Sequence, residues 1–249
     1  MLLALAAAQA APSGDEAAYK NCTSLAATKP QQALAAAEQW RIKGGGIPAR
    51  QCLALAYASL ERWAPAATVF EQAAREAEAR QDSRSSDLWV QSGNSWLAAD
   101  DGAKARKAFD AALAAGQLTA ELRGEVHLDR ARAGVALDDL PGARADIDKA
   151  LTLVPADPMA WYLSAALALR EGNMTRSNAD IAKAVQLAPD DSNVLLQAGT
   201  IVGTNGDIAA AKAYYARAVK AGPNTEAGKA ARAALLADAS APAPAPAEQ

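Results

Sequence analysis

Small, bulky and proline positions recur at a constant spacing in the C-terminal half of the chain. The segment 171–190 can be laid over the segment 205–224, with each matched pair of residues 34 positions apart. The matches are Gly172 with Gly206, Ile181 with Tyr215, Ala184 with Ala218, and Pro189 with Pro223. The same spacing extends upstream to Ala150 and Pro155. Repetition at this interval predicts a protein built from stacked structural repeats.

Each repeat contains two helical patterns separated by a turn. The predicted turns lie at 61–65, 100–102, 138–142, 172–173 and 206–207. Glycine in these turns supplies backbone angles that other residues adopt with difficulty. Pro65 and Pro141 stand where a second helix would begin, a position at which a helix tolerates proline. Proline also predicts the end of the second helix in the last three repeats, at Pro155, Pro189 and Pro223.

The composition favours helices over strands. Hydrophobic residues make up 51% of the chain, and the aromatic ones are few, with two Phe, five Trp and five Tyr. Alanine supplies most of the apolar share, and runs of β-branched and aromatic residues typical of strands are missing. We therefore expect an all-α protein with closely packed helices.

The residue types within the repeats follow a known family signature. The third repeat contains Trp89, Gly93, Trp96, Ala105, Phe109 and Ala112, and the last contains Leu195, Gly199, Ala211, Tyr215, Ala218 and Pro223. This order resembles the tetratricopeptide repeat (TPR) family, whose signature is W-x2-L-G-x2-Y followed by Ala, Phe and Pro. The fourth repeat departs most, with His127 where Trp is usual and Arg130 where Leu is usual. The resemblance implies an α-solenoid of stacked antiparallel helix pairs that forms a superhelix.

The repeat spacing predicts the organisation of the whole chain. Five TPR-like repeats are expected at 47–80, 86–119, 124–157, 158–191 and 192–225, after a degenerate N-terminal helix pair at 11–46. Residues 226–239 are expected to form a capping helix whose outer face can be polar, because no further repeat covers it. The alternating Ala-Pro tail at 240–249 is expected to be disordered.

The first ten residues have the pattern of a signal peptide. An apolar run at 2–8 leads into Ala8-Gln9-Ala10, and cleavage is expected after Ala10. The run is too short to span a membrane, and no other apolar segment approaches the roughly 20 residues that a span requires. No Lys or Arg precedes the run, so a loose tail is the alternative reading. We expect a periplasmic protein, with a cytoplasmic location as the alternative.

The two cysteines leave two interpretations open. Cys22 and Cys52 fit a single disulfide in an exported protein, which would add about 3.5 kcal/mol for a loop of this length. Alternatively, they are two buried thiols that act as small hydrophobic side chains.

The sequence contains no pattern typical of catalysis or cofactor binding. The single histidine, His127, is expected to fill a packing position. One His and two distant Cys do not supply the four closely spaced ligands of a structural zinc site. Gly44-Gly45-Gly46 lacks the Gly-Lys-Ser/Thr of a phosphate-binding loop and is expected to be a flexible joint. The carboxylates are expected to be solvated charge on helical faces. We therefore predict no enzyme activity, no cofactor and no metal.

A binding surface is the remaining candidate for function. In a stack of helix pairs the first helices line the concave side, and a step of about 100° from the packing positions identifies the inner face. The predicted groove residues are Gln51, Asn94, Leu128, Arg132, Tyr162 and Thr200. Asn94 would hold a partner's backbone and Arg132 a carboxylate. The alternative is that leucines on this face only pack one repeat on the next.

These observations predict a non-catalytic scaffold for protein–protein interaction in the bacterial cell envelope. A peptide or helix of a partner would bind in the concave groove. The alternative is a receptor for a small envelope ligand such as a cell-wall fragment. Nucleic acid is excluded as a partner, because the net charge is -3 and the basic residues form no block.

Overall fold

The computed structural model describes residues 14–116 and 118–239. In these residues the chain forms thirteen α-helices and no strand. The helices are α1 (Gly14–Thr28), α2 (Pro30–Ile42), α3 (Gly46–Ser59), α4 (Trp63–Ala79), α5 (Ser85–Ala98), α6 (Gly102–Ala115), α7 (Ala120–Ala136), α8 (Leu140–Leu153), α9 (Pro158–Arg170), α10 (Met174–Leu187), α11 (Ser192–Thr204), α12 (Ile208–Ala221) and α13 (Glu226–Ala239).

The helices form two compact units. The first unit ends at Thr119 and contains α1–α6, and the second begins at Ala120 and contains α7–α13. Within each unit, every helix packs against the next one along the chain. Because short turns join these helices, each unit is a stack of antiparallel helix pairs. The prediction of an all-α chain of stacked helix pairs is confirmed for the described residues.

The predicted repeats can be compared with the helices that occupy them. The repeats at 47–80, 86–119, 124–157, 158–191 and 192–225 hold the pairs α3–α4, α5–α6, α7–α8, α9–α10 and α11–α12, and α13 follows them. The division into repeats stays a prediction from the sequence. The predicted signal peptide at 1–10 and the predicted Ala-Pro tail at 240–249 lie outside the described residues.

A disulfide joins the N-terminal helix pair to the first predicted repeat, within the first unit. Cys22 of α1 and Cys52 of α3 are bonded through their sulfur atoms, with 6.0 Å between their Cα atoms. Both cysteines are buried and pack with Ala37 and Leu53. The sequence left open whether these cysteines form a disulfide or are two buried thiols, and in the structure they form the disulfide.

In the five helix pairs from α3–α4 to α11–α12, the turn within the pair has one residue with a positive φ. The angle is 56° at Glu61, 59° at Asp100, 59° at Asp138, 74° at Gly172 and 91° at Gly206. This left-handed conformation costs about 1–2 kcal/mol for a residue with a side chain, so the two glycines adopt it most easily. Glycine supplies the predicted special angle at Gly172 and Gly206. In the turns at 100–102 and 138–142 that prediction is wrong, because the positive φ is at an aspartate and the glycine lies within the following helix.

A side-chain cap fixes the start of each second helix from α6 onward. The cap residue accepts a hydrogen bond from the backbone N–H three residues later, at 2.9–3.1 Å, in α6 (Asp101), α8 (Asp139), α10 (Asn173) and α12 (Asp207). Such a cap satisfies one of the N–H groups that a helix start leaves without an internal partner. The turn and the cap together set where the second helix turns back onto the first.

Close helix packing depends on glycine at one position of the first helix. A Cβ atom on Gly93 would lie 2.5 Å from Cε1 of Phe109, and one on Gly199 would lie 2.5 Å from Cε1 of Tyr215. The two contacts occupy the same repeat position, since each ring stands on the second helix of its pair. Phe109 is fully buried, whereas Tyr215 is partly exposed. The first ring therefore has no space into which it can move.

We predict that Gly93→Ala destabilises the protein far more than Gly199→Ala. The added methyl at residue 93 forces the buried Phe109 ring out of place, and such overpacking typically costs about 1–3 kcal/mol. The partly exposed Tyr215 ring can swing toward solvent, so we expect a loss below about 1 kcal/mol for Gly199→Ala. Urea unfolding followed by circular dichroism measures both values. Equal losses would contradict the proposed role of ring burial.

Candidate functional site

The single histidine lies in a buried ionic cluster between α7 and α8. Nδ1 of His127 is 2.8 Å from Oδ1 of Asp146. Arg130 donates from Nε to Oδ2 of Asp146 at 2.8 Å and from Nη2 to Oδ1 at 2.5 Å. His127 and Asp146 are each 7% exposed. The histidine thus occupies the predicted packing position, and it also holds a carboxylate that the sequence analysis did not assign to it.

Asp146 is ionised in this cluster. Burial raises the pKa of its carboxyl group, but the hydrogen bonds from His127 and Arg130 outweigh burial and lower the pKa below its ordinary value. An ionised carboxylate can only accept, so Nδ1 of His127 carries the proton. Arg130 contacts both carboxylate oxygens. The cluster is therefore a hydrogen-bonded junction that ties α7 to α8.

A second buried carboxylate lies one repeat later, at Asp180 of α10. The hydroxyl of Ser164 donates to its Oδ2 at 2.5 Å, and Nε of Arg176 donates to the same oxygen at 3.2 Å. Arg144 donates to the Ser164 hydroxyl at 2.8 Å and pairs with Glu171 at 2.8 Å. The expectation that the carboxylates are solvated charge is wrong at Asp146 and Asp180. Repeat spacing alone does not reveal which polar residues have partners on the neighbouring helix.

The first helices α7 and α9 of the second unit are separated by a groove with two adjoining pockets. The pockets have volumes of about 200 and 440 Å³ and share Arg132 and Leu163. The smaller pocket has an apolar floor of Ile147, Leu163 and Leu167. The larger is lined by Leu128, Tyr162 and the half-exposed Met159. We call this region the α7–α9 groove.

The two ends of the α7–α9 groove carry opposite charge. Arg170 lines only the smaller pocket, Arg132 lies between the two pockets, and Glu125, Asp129 and Asp157 line the larger one. Arg132 pairs with Asp129 at 3.1 Å, and its side chain is 58% exposed. Arg170 pairs with Asp138 at 2.7 Å and donates to the carbonyl of Val135 at 3.3 Å, which links the ends of α9 and α7.

The six predicted groove residues fall into three places. Leu128, Arg132 and Tyr162 come together in the α7–α9 groove. Gln51 and Asn94 lie on α3 and α5 of the first unit, where Gln51 is half-buried and Asn94 is exposed. Thr200 lies in a separate pocket of the second unit, with Tyr215. Leu128 is only 4% exposed and also packs in the core, so part of its role is the structural one left open by the sequence.

Sequence reasoning missed several residues of the α7–α9 groove. Leu163 lies one residue beyond Tyr162, so a stripe one residue wide excludes it. Arg170 follows Ala166 by one helical turn at the end of α9, and the predicted stripe did not include it. Glu125 and Asp129 could not be predicted as groove residues, because acidic residues are common on the exposed faces of helices and do not by themselves indicate a binding site.

The described part of the chain offers no metal site and no membrane span. Within residues 14–116 and 118–239, no three His, Cys, Asp or Glu side chains are placed to hold a metal ion. None of the helices in those ranges is both long and apolar enough to cross a membrane.

Solved structures of TPR proteins match the chain at low sequence identity. PilW, a widely conserved type IV pilus biogenesis factor, is 19% identical with a TM-score of 0.70, over 88% of this chain and 99% of that one. PilF of Pseudomonas aeruginosa is 16% identical with a TM-score of 0.65, over 89% and 100%. YrrB, a TPR protein with an unusual peptide-binding site, is 16% identical with a TM-score of 0.54, over 79% and 96%.

These comparisons establish the fold. No protein-family model matches the sequence, and no curated protein matches it either. The identities to the solved structures are all below 20% for these three proteins, so the likeness concerns architecture alone. The chain therefore has the TPR fold, as the resemblance in its sequence implied.

We predict that Asp146→Ala destabilises the protein by about 3 kcal/mol at pH 7. The change removes the carboxylate that accepts from the buried donor of His127 and from the partly buried guanidinium of Arg130. Asp148→Ala is the matched control, because Asp148 is on the same helix, its side chain is 47% exposed, and it pairs with Arg176. An exposed pair contributes at most about 1 kcal/mol. Urea unfolding of both variants measures the difference, and equal losses would contradict a buried junction.

The pH dependence of the Asp146→Ala loss provides a further check on the same variant. The pKa of Asp146 is lower in the folded chain than in the unfolded one, so its contribution to the free energy of unfolding is complete above the unfolded pKa. That contribution disappears as pH falls through the folded pKa. The loss should therefore shrink in acid, and a loss that grew as pH fell would have the wrong sign.

Proposed function

We propose that this protein is a non-catalytic scaffold that binds a segment of a partner protein in the α7–α9 groove. The observation that carries the proposal is an apolar floor of Ile147, Leu163 and Leu167 beside exposed charge. Binding sites of this kind combine apolar surface with a few placed polar groups that fix orientation. Helix-in-groove and extended-peptide recognition both use such a surface.

The charge distribution indicates the kind of segment that fits. A partner carboxylate would bind at Arg132 and Arg170, and a partner Lys or Arg would bind at Glu125, Asp129 and Asp157. Apolar side chains between these charges would enter the two pockets. The opposite ends would also fix the direction in which the segment lies, because the reversed segment places like charges together.

The solved TPR structures support the general class of function. YrrB has an unusual peptide-binding site, and PilW is a biogenesis factor for type IV pili. By analogy of fold, we place the partner of this chain in an assembly of the bacterial cell envelope. The analogy concerns architecture, and the α7–α9 groove supplies the argument from this chain's own residues.

We also propose a periplasmic location. The disulfide between Cys22 and Cys52 supports it, since disulfides persist in the oxidising periplasm and are rare in the cytosol of mesophiles. The small-x-small pattern that ends at Ala10 supports it independently.

We expect the chain to be recovered from the periplasmic fraction of its native cells, cleaved after Ala10 and without free thiols. Ala10→Trp should block cleavage, because the site requires a small residue there. N-terminal sequencing and alkylation with iodoacetamide under denaturing conditions measure the two properties. Cytosolic recovery of an uncleaved chain with two alkylated cysteines would exclude export.

We expect Arg132→Ala combined with Tyr162→Ala to abolish partner binding without unfolding the protein. The full-length chain would be used to capture partners from an envelope extract for mass spectrometry. Binding of the captured segment would then be measured by calorimetry. Arg132 is exposed and already paired with Asp129, and an exposed ion pair contributes at most about 1 kcal/mol, so Arg132→Ala alone should weaken binding by no more than roughly five-fold. Arg232→Ala on α13 is the matched control and should change nothing.

Two outcomes would contradict the groove assignment. One is capture of the same partner by the double variant, which would move the site elsewhere on the chain. The other is failure to capture any protein together with thermal stabilisation by a purified cell-wall fragment. That result would favour the small-ligand receptor, because a ligand that binds only the folded chain raises its melting temperature.

A further inference from the structure

A second open cleft lies in the first unit, on a face built from different helices than the α7–α9 groove. It runs between the second helices α4 and α6, and its floor is the first helix α5. Its volume is about 580 Å³, which is within the range of roughly 300–1,000 Å³ found for ligand pockets. Two side chains of α5, Trp89 and Trp96, line it, and we call it the tryptophan cleft.

A cation lies near the ring of each tryptophan in the cleft. The ammonium of Lys104 is 4.2 Å from the ring centroid of Trp96, and the guanidinium of Arg75 is 5.8 Å from that of Trp89. The indole nitrogen of Trp89 donates to Oε1 of Glu78 at 2.7 Å. These contacts hold both rings in fixed positions on the floor.

The indole nitrogen of Trp96 differs from that of Trp89. Trp96 is 7% exposed, and no acceptor for its Nε1 exists among the residues that the structure describes. A buried donor of this kind normally has a partner. Trp96 is thus the one tryptophan of the cleft whose polar atom is unsatisfied.

The tryptophan cleft is rich in positive charge. Arg75, Lys104 and Lys107 line it together with a single carboxylate, Glu71. Arg75 pairs with Glu71 on its own helix, and Lys104 pairs with Asp101 at the start of α6. Lys107 is exposed at the same wall. This local excess of cations stands in a protein whose net charge is -3.

The corresponding place in the second unit is occupied by the protein's own charged side chains. There the second helices α8 and α10 flank α9, and Arg176 of α10 pairs with Asp148 of α8. Arg144 of α8 reaches Ser164 and pairs with Glu171 next to the end of α9. The first of these ion pairs connects the two helices that flank α9, and the second connects α8 to the end of α9. The tryptophan cleft has cations on its walls in place of such bridges.

We propose that the tryptophan cleft binds an acidic peptide segment of a partner, in which Asp or Glu stands next to an apolar side chain. The carboxylates would pair with Lys104, Lys107 and Arg75, and the apolar side chain would cover the indole rings. The wall from Thr68 to Arg75 is two helical turns, or about 10 Å long, at 1.5 Å per residue. About three residues of extended chain span that length. This site is independent of the proposed function at the α7–α9 groove.

The test is a selection from a random dodecapeptide display library on the immobilised full-length chain. The same library is selected in parallel on Lys104→Gln/Lys107→Gln and on Arg132→Ala. Peptides that bind the native chain but not the double lysine variant should be rich in Asp and Glu beside Leu or Phe. They should still bind Arg132→Ala, which separates this site from the α7–α9 groove.

The affinity of one selected peptide, made synthetically, then decides the proposal. Its dissociation constant is measured from the change in tryptophan fluorescence, and we expect it to rise by about ten-fold or more in Lys104→Gln/Lys107→Gln. Lys183→Gln/Lys220→Gln removes the same charge from other helices and should leave the constant unchanged. Trp96→Phe should remove much of the fluorescence change, while circular dichroism reports that each variant is folded.

Three results would overturn the proposal. The first is a selected pool without enrichment in acidic residues. The second is equal affinity of the peptide for the native chain and for Lys104→Gln/Lys107→Gln. The third is an affinity that does not change when sodium chloride is raised, since pairing of carboxylates with exposed lysines must weaken with ionic strength.

Discussion

Close approach of the two helices in each pair is the constraint on which the rest of the structure depends. Alanine and glycine fill many contact positions, and two of the large rings stand opposite a glycine. Phe109 fits only because Gly93 has no side chain, and Tyr215 fits only against Gly199. Dispersion contacts at such short separations are individually weak and collectively large. The sizes of the side chains that face each other within a helix pair are therefore matched. Where a repeat departs from the signature residues, the neighbouring helix changes with it.

The ionic junction at His127 is one such departure. Its repeat carries histidine and arginine where the signature has Trp and Leu, and the neighbouring helix supplies Asp146 to satisfy both. A buried charge without that partner would be strongly destabilising. Asp180 shows the same solution one repeat later, with Ser164 and Arg176 as donors. At these two carboxylates, the polar groups that replace apolar packing have partners on the neighbouring helix.

The fold could be predicted from the sequence because the same residue types recur at the same positions in several repeats. Helix and turn signals from the separate repeats support one another, so a single irregular position such as Arg130 does not mislead. The candidate site could be predicted only in part. A step of 100° along a helix identifies Arg132 and Tyr162, yet the groove also depends on Arg170, which a short stripe does not reach. Trp89 and Trp96 fit the repeat signature and are largely buried, so nothing in the sequence indicates that they line a cation-rich cleft.

The arginines of the α7–α9 groove are already paired within the protein, and this affects what binding can gain from them. Arg132 contacts Asp129, and Arg170 contacts Asp138, so a partner's carboxylate must compete with an internal one. Exchange of one exposed ion pair for another contributes little net free energy. Most of the affinity must therefore come from apolar side chains placed over Leu163 and its neighbours. The charged ends then act mainly on specificity. A segment with the reversed order of charges would place like charges next to each other at both ends, and no contact in the groove offsets that repulsion.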